Sequence, residues 1–233
     1  MRKKTNNQNN KDLLLNSREI KNNPVVFTSI LNKDFSQLEE LLQDKENLSV
    51  VNEELHTPIE YSINVGNLQA AIMLIREQAN VNSKNKNGLS PLHILIRRLD
   101  SYLEQDITSE EIIELVKQLI TNGAKPNVQD RRGNSIINCI AQKAKINKPY
   151  TNLYNRIGKM ILSYDKDVSQ TVQIKNNMGK TPLDYLSRNG NTILRDVVYE
   201  LLPQNQEKMA RIIEEGERAI KKALSMSKEE EVA

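Results

Sequence analysis

The chain has 233 residues, a net charge of +3, 38% hydrophobic residues, only 4% aromatics, no Trp and a mean hydropathy of −0.59. So few aromatics exclude one large globular core and favour stacked small helices that bury Leu, Ile and Val between neighbours. The single cysteine, Cys139, excludes an intrachain disulfide and a cysteine-based zinc site, and the near-balanced charge gives no general argument for nucleic acid.

Residues 1–22 read as a basic, disordered arm, with a short helix near residues 12–20 that would dock Leu13, Leu14 and Leu15 on the first helical unit after it. Leu13-Leu14-Leu15 is far too short for a signal h-region and no window approaches 18 apolar residues, so a soluble, cytoplasmic chain without a membrane span is expected, with secretion into a host cell left open. From residue 23 a pattern recurs, clearest at Asn85–His93. Asn87-Gly88 calls for a turn with positive φ. Ser90 then reads as a helix N-cap with Pro91 at the first helical position, where a missing N–H costs nothing. Leu92, Leu95 and Ile96 open an apolar face. The same grammar appears at His56-Thr57-Pro58-Ile59, at Arg132-Gly133-Asn134-Ser135-Ile136 and at Met178-Gly179-Lys180-Thr181-Pro182-Leu183. Thr57 and Ser90 are 33 residues apart, and one further step back lands on Pro24. In that register Leu41-Leu42 aligns with Leu74-Ile75, and Lys33-Asp34 with Gly66-Asn67.

This period and these motifs resemble the ankyrin repeat, whose units open on a glycine turn and Thr-Pro-Leu-His and close on an apolar helix followed by Gly-Ala. Gly88…Ser90-Pro91-Leu92-His93 matches the opening, and Leu119-Ile120…Gly123-Ala124…Asn127 matches the close. The resemblance covers residues 23–203 and implies an all-α repeat, an ankyrin solenoid of helix-turn-helix units joined by β-hairpin fingers. About five repeats are expected, at 23–51, 52–84, 85–129, 130–175 and 176–203. Leu55 stands where the finger glycine belongs and Gln78 where the second helix should end on glycine, each costing on the order of 1 kcal/mol. Leu95, Ile140 and Leu186 replace small first-helix residues, which implies altered packing between helices.

Two repeats are long. Ser90 to Ser135 spans 45 residues, with the excess near 99–110; Thr108…Glu111 there reads as a capping box after a lengthened first helix. Ser135 to Thr181 spans 46, with the excess divided between 143–152, where Pro149 stops a helix, and 165–174. Such insertions either carry function or reflect tolerated loop drift. Pro203 ends the array. Residues 204–233 read as an amphipathic helix with an acidic tail, either capping the last repeat or driving self-association.

Chemistry is sparse. His93 is expected to bond backbone locally, and His56 to lie on the surface at a hairpin tip. Cys139 is either a packed residue or a thiol of some reactivity. Gly179-Lys180-Thr181 imitates the end of a phosphate loop, but the required upstream glycine is Ile174. No catalytic, metal or cofactor-binding residues are assigned, and the chain reads as non-enzymatic. What remains is surface. The resemblance implies binding through fingertips and the adjoining concave helix face. The fingertips carry Lys84, Lys86 and Asn87, then Arg131, Arg132 and Asn134, then Lys175, Met178 and Lys180. Tyr61, Ile94, Cys139 and Tyr185 occupy equivalent first-helix positions and either form an apolar strip beside that row or pack between helices. The expected partner is a protein with an acidic segment. Nucleic acid is disfavoured because no stacking aromatics accompany the charges. The composition is also similar to repeat proteins of intracellular bacteria, some of which act in host cells as effectors. The alternative function is a structural scaffold self-associating through 204–233.

Overall fold

A Ser or Thr that cannot extend a helix backwards but can cap its free N–H groups decides where most of the first helices begin. The computed structural model describes residues 24–146, 148–188 and 192–202. The expected N-terminal arm and the helix over 204–233 lie outside them. Eleven α-helices occur among the described residues: α1 Pro24–Asn32, α2 Phe35–Leu41, α3 Pro58–Asn64, α4 Leu68–Arg76, α5 Pro91–Leu103, α6 Ser109–Thr121, α7 Ile136–Ile146, α8 Thr151–Ser163, α9 Val168–Thr171, α10 Pro182–Arg188 and α11 Thr192–Leu201. Thr57, Ser90, Ser135 and Thr181 open α3, α5, α7 and α10. In each case the residue three further on (Glu60, His93, Asn138 or Asp184) bonds back to the opening residue.

The helices pack in two rows. α1, α3, α5, α7 and α10 each touch the next of that set; α2, α4, α6, α8 and α11 form the second row. Each member of the first row also packs against the partner that follows it in the same unit. The result is an array of helix pairs whose apolar core runs between the rows, with Ile59, Ile63, Leu74, Leu92, Leu95, Ile140 and Leu186 almost fully buried. The bulky residues standing in for small ones are thus inside the stack. No strand forms among the described residues, so the β-hairpin fingers expected from the resemblance are absent there. The fingers are five-residue turns, each with one bond across its base, which is too little pairing for a ladder.

The register predicted from Lys33-Asp34 and Gly66-Asn67 holds. Lys33 and Gly66 take positive φ between the two helices of a pair. Asp34 and Asn67 then cap the second helix through Gln37 N and Ala70 N. Asn67 also donates to Ile30 O of the preceding pair at 2.7 Å. Gln78 ends α4 with φ 68°, doing without a glycine what Gly123 does after α6 at φ 88°.

The stretch near 99–110 is structural. It lengthens α5 by two turns relative to α3, and Leu99 and Tyr102 are buried. Arg98 donates to Asn64 O at 2.8 and 3.1 Å, and Tyr102 Oη donates to Ile63 O. These carbonyls sit in the last turn of α3, which the helix's own N–H groups satisfy incompletely; Ile63 O also accepts from Gly66 N at 3.2 Å. On the other side, Asp100 accepts from Lys143 Nζ at 2.7 Å and from buried Tyr154 Oη at 2.6 Å. The extension therefore bridges three successive pairs. After α7, Pro149 falls in a short 3₁₀ turn, Lys148–Tyr150, as a helix stop should.

Leu55 adopts φ 60° where the other three fingers use Gly88, Gly133 and Gly179. Its side chain lies outside the apolar core, so no packing offsets the strain. Leu55→Gly and Gln78→Gly together are expected to raise stability by about 1 kcal/mol, seen as a higher urea midpoint with an unchanged slope. Gly133→Ala should lower it by at least that much, because its Cβ would stand 2.5 Å from Asn177 Oδ1 and 2.8 Å from Asn177 N.

Candidate partner-binding site

The fingers span residues 52–56, 85–89, 130–134 and 176–180. In each, the first residue's N–H bonds the fifth residue's carbonyl, and the fourth residue's N–H bonds the first residue's carbonyl. An Asn or Asp opens every one. The side-chain oxygen of Asn52, Asn85, Asp130 or Asn176 accepts two N–H groups, those of the third and fifth residues, at 2.8–3.1 Å. With the backbone so satisfied, the second and third residues lie at the surface. They are Glu53 and Glu54, Lys86 and Asn87, Arg131 and Arg132, Asn177 and Met178, all exposed.

Successive fingers are joined after the first. Arg131 N donates to Asn87 O at 3.3 Å, and Asn177 N to Arg132 O at 3.0 Å. Asn177 Nδ2 adds a bond to Arg131 O at 3.0 Å. Gln129 Nε2 reaches Lys175 O at 3.0 Å, while its own carbonyl accepts from Lys84 Nζ at 3.0 Å. This approach requires glycine: a Cβ on Gly88 would meet Arg131 N at 3.0 Å. Among the described residues no backbone bond joins the first finger, with Leu55 in that place, to the second.

The expected site residues divide into two groups. Lys84, Lys86, Asn87, Arg131, Arg132, Lys175 and Met178 are exposed, Met178 at 77%, and Lys180 is half-exposed. Among the described residues none of Lys86, Arg131, Arg132, Lys175 and Lys180 forms an ion pair. The second group faces inward. Asn134 is buried, because its Oδ1 accepts from Gln142 Nε2 at 3.1 Å and Asn176 Nδ2 at 2.9 Å; it is a joint between fingers and not a contact residue. Ile94 and Cys139 are buried in the core, so they leave no exposed apolar strip. Tyr61 is half-buried edge-on to Phe27, with ring centroids 5.3 Å apart, and Tyr185 Oη accepts from Asn176 Nδ2 at 2.9 Å.

Two fingertip residues escaped sequence reasoning. Glu53 and Glu54 hold the positions that Lys86 and Asn87 or Arg131 and Arg132 hold later. Their signal was the Asn or Asp three residues before each left-handed position, which sets the finger register without needing the glycine. Glu54 Oε2 lies 3.4 Å from His56 Nδ1, too long to count as a hydrogen bond, and burial lowers the His56 pKa.

Cys139 and His93 are both shielded from solvent. Cys139 is a free thiol that burial pushes up to about 11, so it is protonated at neutral pH. His93 accepts at Nδ1 from Ser90 and donates from Nε2 to Asn134 O at 3.2 Å, joining the start of α5 to the next finger. The following unit has Asn138 there. Its Oδ1 repeats the bond to Ser135, but its buried Nδ2 finds no partner. Among the described residues no cluster of three or more His, Cys, Asp or Glu could hold a metal, and no helix is long and apolar enough to cross a membrane.

Burial lowers the His93 pKa from 6.5 to about 4, opposed in part by the Asn134 carbonyl. The unfolded chain therefore takes up this proton first as pH falls. His93 costs nothing above about 6.5 and destabilises the fold progressively down to about 4, by roughly 3 kcal/mol in all. His93→Asn is expected to be less stable at pH 7, lacking the bond to Asn134, and to lose less stability than the parent between pH 7 and 4. Urea titrations at several pH values test this; parallel pH profiles would contradict it. Neither a protein-family model nor a curated protein sequence matches this chain.

Proposed function

We propose that the chain is an ankyrin-type binding protein that captures an acidic protein segment on fingers two to four by equilibrium association, with no bond made or broken. The observation that carries this is the row of unpaired cations, Lys86, Arg131, Arg132 and Lys180, on turns whose own backbone bonds are complete. A cation not needed for folding, held on a rigid turn, loses little entropy on meeting a carboxylate, and a row of them steers an anionic partner before contact. The 33-residue register, the capped Ser/Thr starts and the two rows of helices support the repeat-family reading. Acidic protein is favoured over nucleic acid because, among the described residues, the fingers themselves carry no aromatic to stack on bases.

Replacing Lys84, Lys86, Arg131 and Arg132 by Glu is expected to abolish capture of the proteins that the parent chain retains from cytosol. The melting temperature should hold for the Lys86, Arg131 and Arg132 replacements, whose side chains are exposed, so the same triple variant with Lys84 retained separates lost capture from the lost Lys84 bond to Gln129 O. Equal capture by parent and variant would refute the reading. Raising salt should weaken capture by the parent mainly through slower association.

A further inference from the structure

The finger row is polar along its length. Its first finger presents Glu53 and Glu54, while the next two present Lys86, Arg131 and Arg132 in corresponding places. At His56, the histidine nearest this acidic end, burial lowers the pKa and so disfavours the cation that would offset Glu53 and Glu54, opposed in part by Glu54. The change of sign coincides with the break in the finger ladder. Fingers two, three and four are tied by Arg131 N to Asn87 O and by Asn177 N to Arg132 O. The first finger has Leu55 in place of the glycine that permits this approach and lacks the bond.

Resting on the reading of fingers two to four as an acidic-segment site, we infer that the face takes a bipolar segment, with an acidic run over the bonded fingers and a Lys or Arg at its end over Glu53 and Glu54. A uniformly acidic chain long enough to reach the first finger meets like charge there, which costs affinity and fixes the register. A basic terminus gains a pair at each carboxylate. The acidic finger thus sets which way round the partner lies, and the basic fingers hold it. A nucleic acid, charged alike along its length, cannot satisfy both ends.

The test uses the full chain and two synthetic peptides of equal length in fluorescence anisotropy at low salt. One carries an acidic run, a Gly-Ser spacer and two Lys; in the other the two Lys are Glu. The parent should bind the bipolar peptide about tenfold more tightly, as two exposed charge contacts change sign. Glu53→Lys with Glu54→Lys should invert that preference. Arg131→Glu with Arg132→Glu should abolish binding of both peptides. If the first pair of substitutions leaves the preference unchanged while the second abolishes binding, the bipolar partner is overturned and the acidic-segment site stands. If the second pair leaves binding intact, or the parent binds neither peptide, both fall. Tighter binding of single-stranded DNA of equal charge than of the bipolar peptide also overturns the proposal. Unchanged melting temperatures of the variants secure each comparison.

Discussion

Each finger depends on one side-chain oxygen that accepts two backbone N–H groups. Five residues in a reversal cannot satisfy their own amides through backbone pairing alone, and an unmet buried N–H costs about 1–3 kcal/mol. Asn52, Asn85, Asp130 and Asn176 remove that cost from within the turn. A left-handed fourth residue then returns the chain to the next Ser or Thr, whose hydroxyl starts a helix. The helix pairs are stacked by burial, but they are placed by these turns. The choice between Asn and Asp is local. Asp130 is the only carboxylate of the four, and it alone meets a cation, Arg97 at 2.6 Å from the preceding unit's α5. Its buried charge is thereby both paired and hydrogen-bonded.

Two tiers of contact hold neighbouring units together. The apolar tier between rows is non-directional, and side chains as bulky as Leu95 and Ile140 fit fully buried within it. The polar tier is specific. His93 reaches Asn134 O, Asn67 reaches Ile30 O, and the lengthened α5 caps the end of α3 while holding Lys143 and Tyr154 of the next pair through Asp100. Long residues make these reaches. Where a short one is substituted, as Asn138 in the histidine position, the local bond survives and the one to the next unit is lost.

Much of this was legible in the sequence because it is written in local chemistry. Ser90-Pro91, Thr57-Pro58 and Thr181-Pro182 announce helix starts, Gly88 and Gly133 announce turns, and the 33-residue interval places even the glycine-less turns at Lys33 and Leu55. The capping box at Thr108 and the lengthened first helix before it were legible for the same reason. Side-chain direction was not. Asn134 and Lys180 share the fifth finger position, yet Asn134 is buried by Gln142 and Asn176 while Lys180 keeps half its surface. Ile94 lies beside His93 in sequence and reads as equivalent to half-exposed Tyr61, but the neighbouring pairs enclose it. For Asn134 the burying contacts are Gln142, two helical turns on, and Asn176, 42 residues distant, and the latter is encoded by no local pattern.

The left-handed residue at position four links the architecture to the binding face. Gly88 and Gly133 are doubly constrained, by their φ and by the next finger pressing where a Cβ would be, whereas Gly179 is constrained by φ alone. The two fingers with such a glycine are bonded to their successors, and their charges are held in fixed relation to the next finger's charges. A finger with Leu55 bears a local strain of about 1 kcal/mol and is released from that relation. Position four is thus a switch between rigid and independent fingers, while positions two and three set the charge. In this chain the independent finger is acidic and the fused fingers are predominantly basic. For the proposed acidic segment, rigid spacing would suit a row of cations, because the entropy of arranging them is already spent on folding. For the proposed basic end of that segment, the unbonded first finger would allow for a reach that is not fixed.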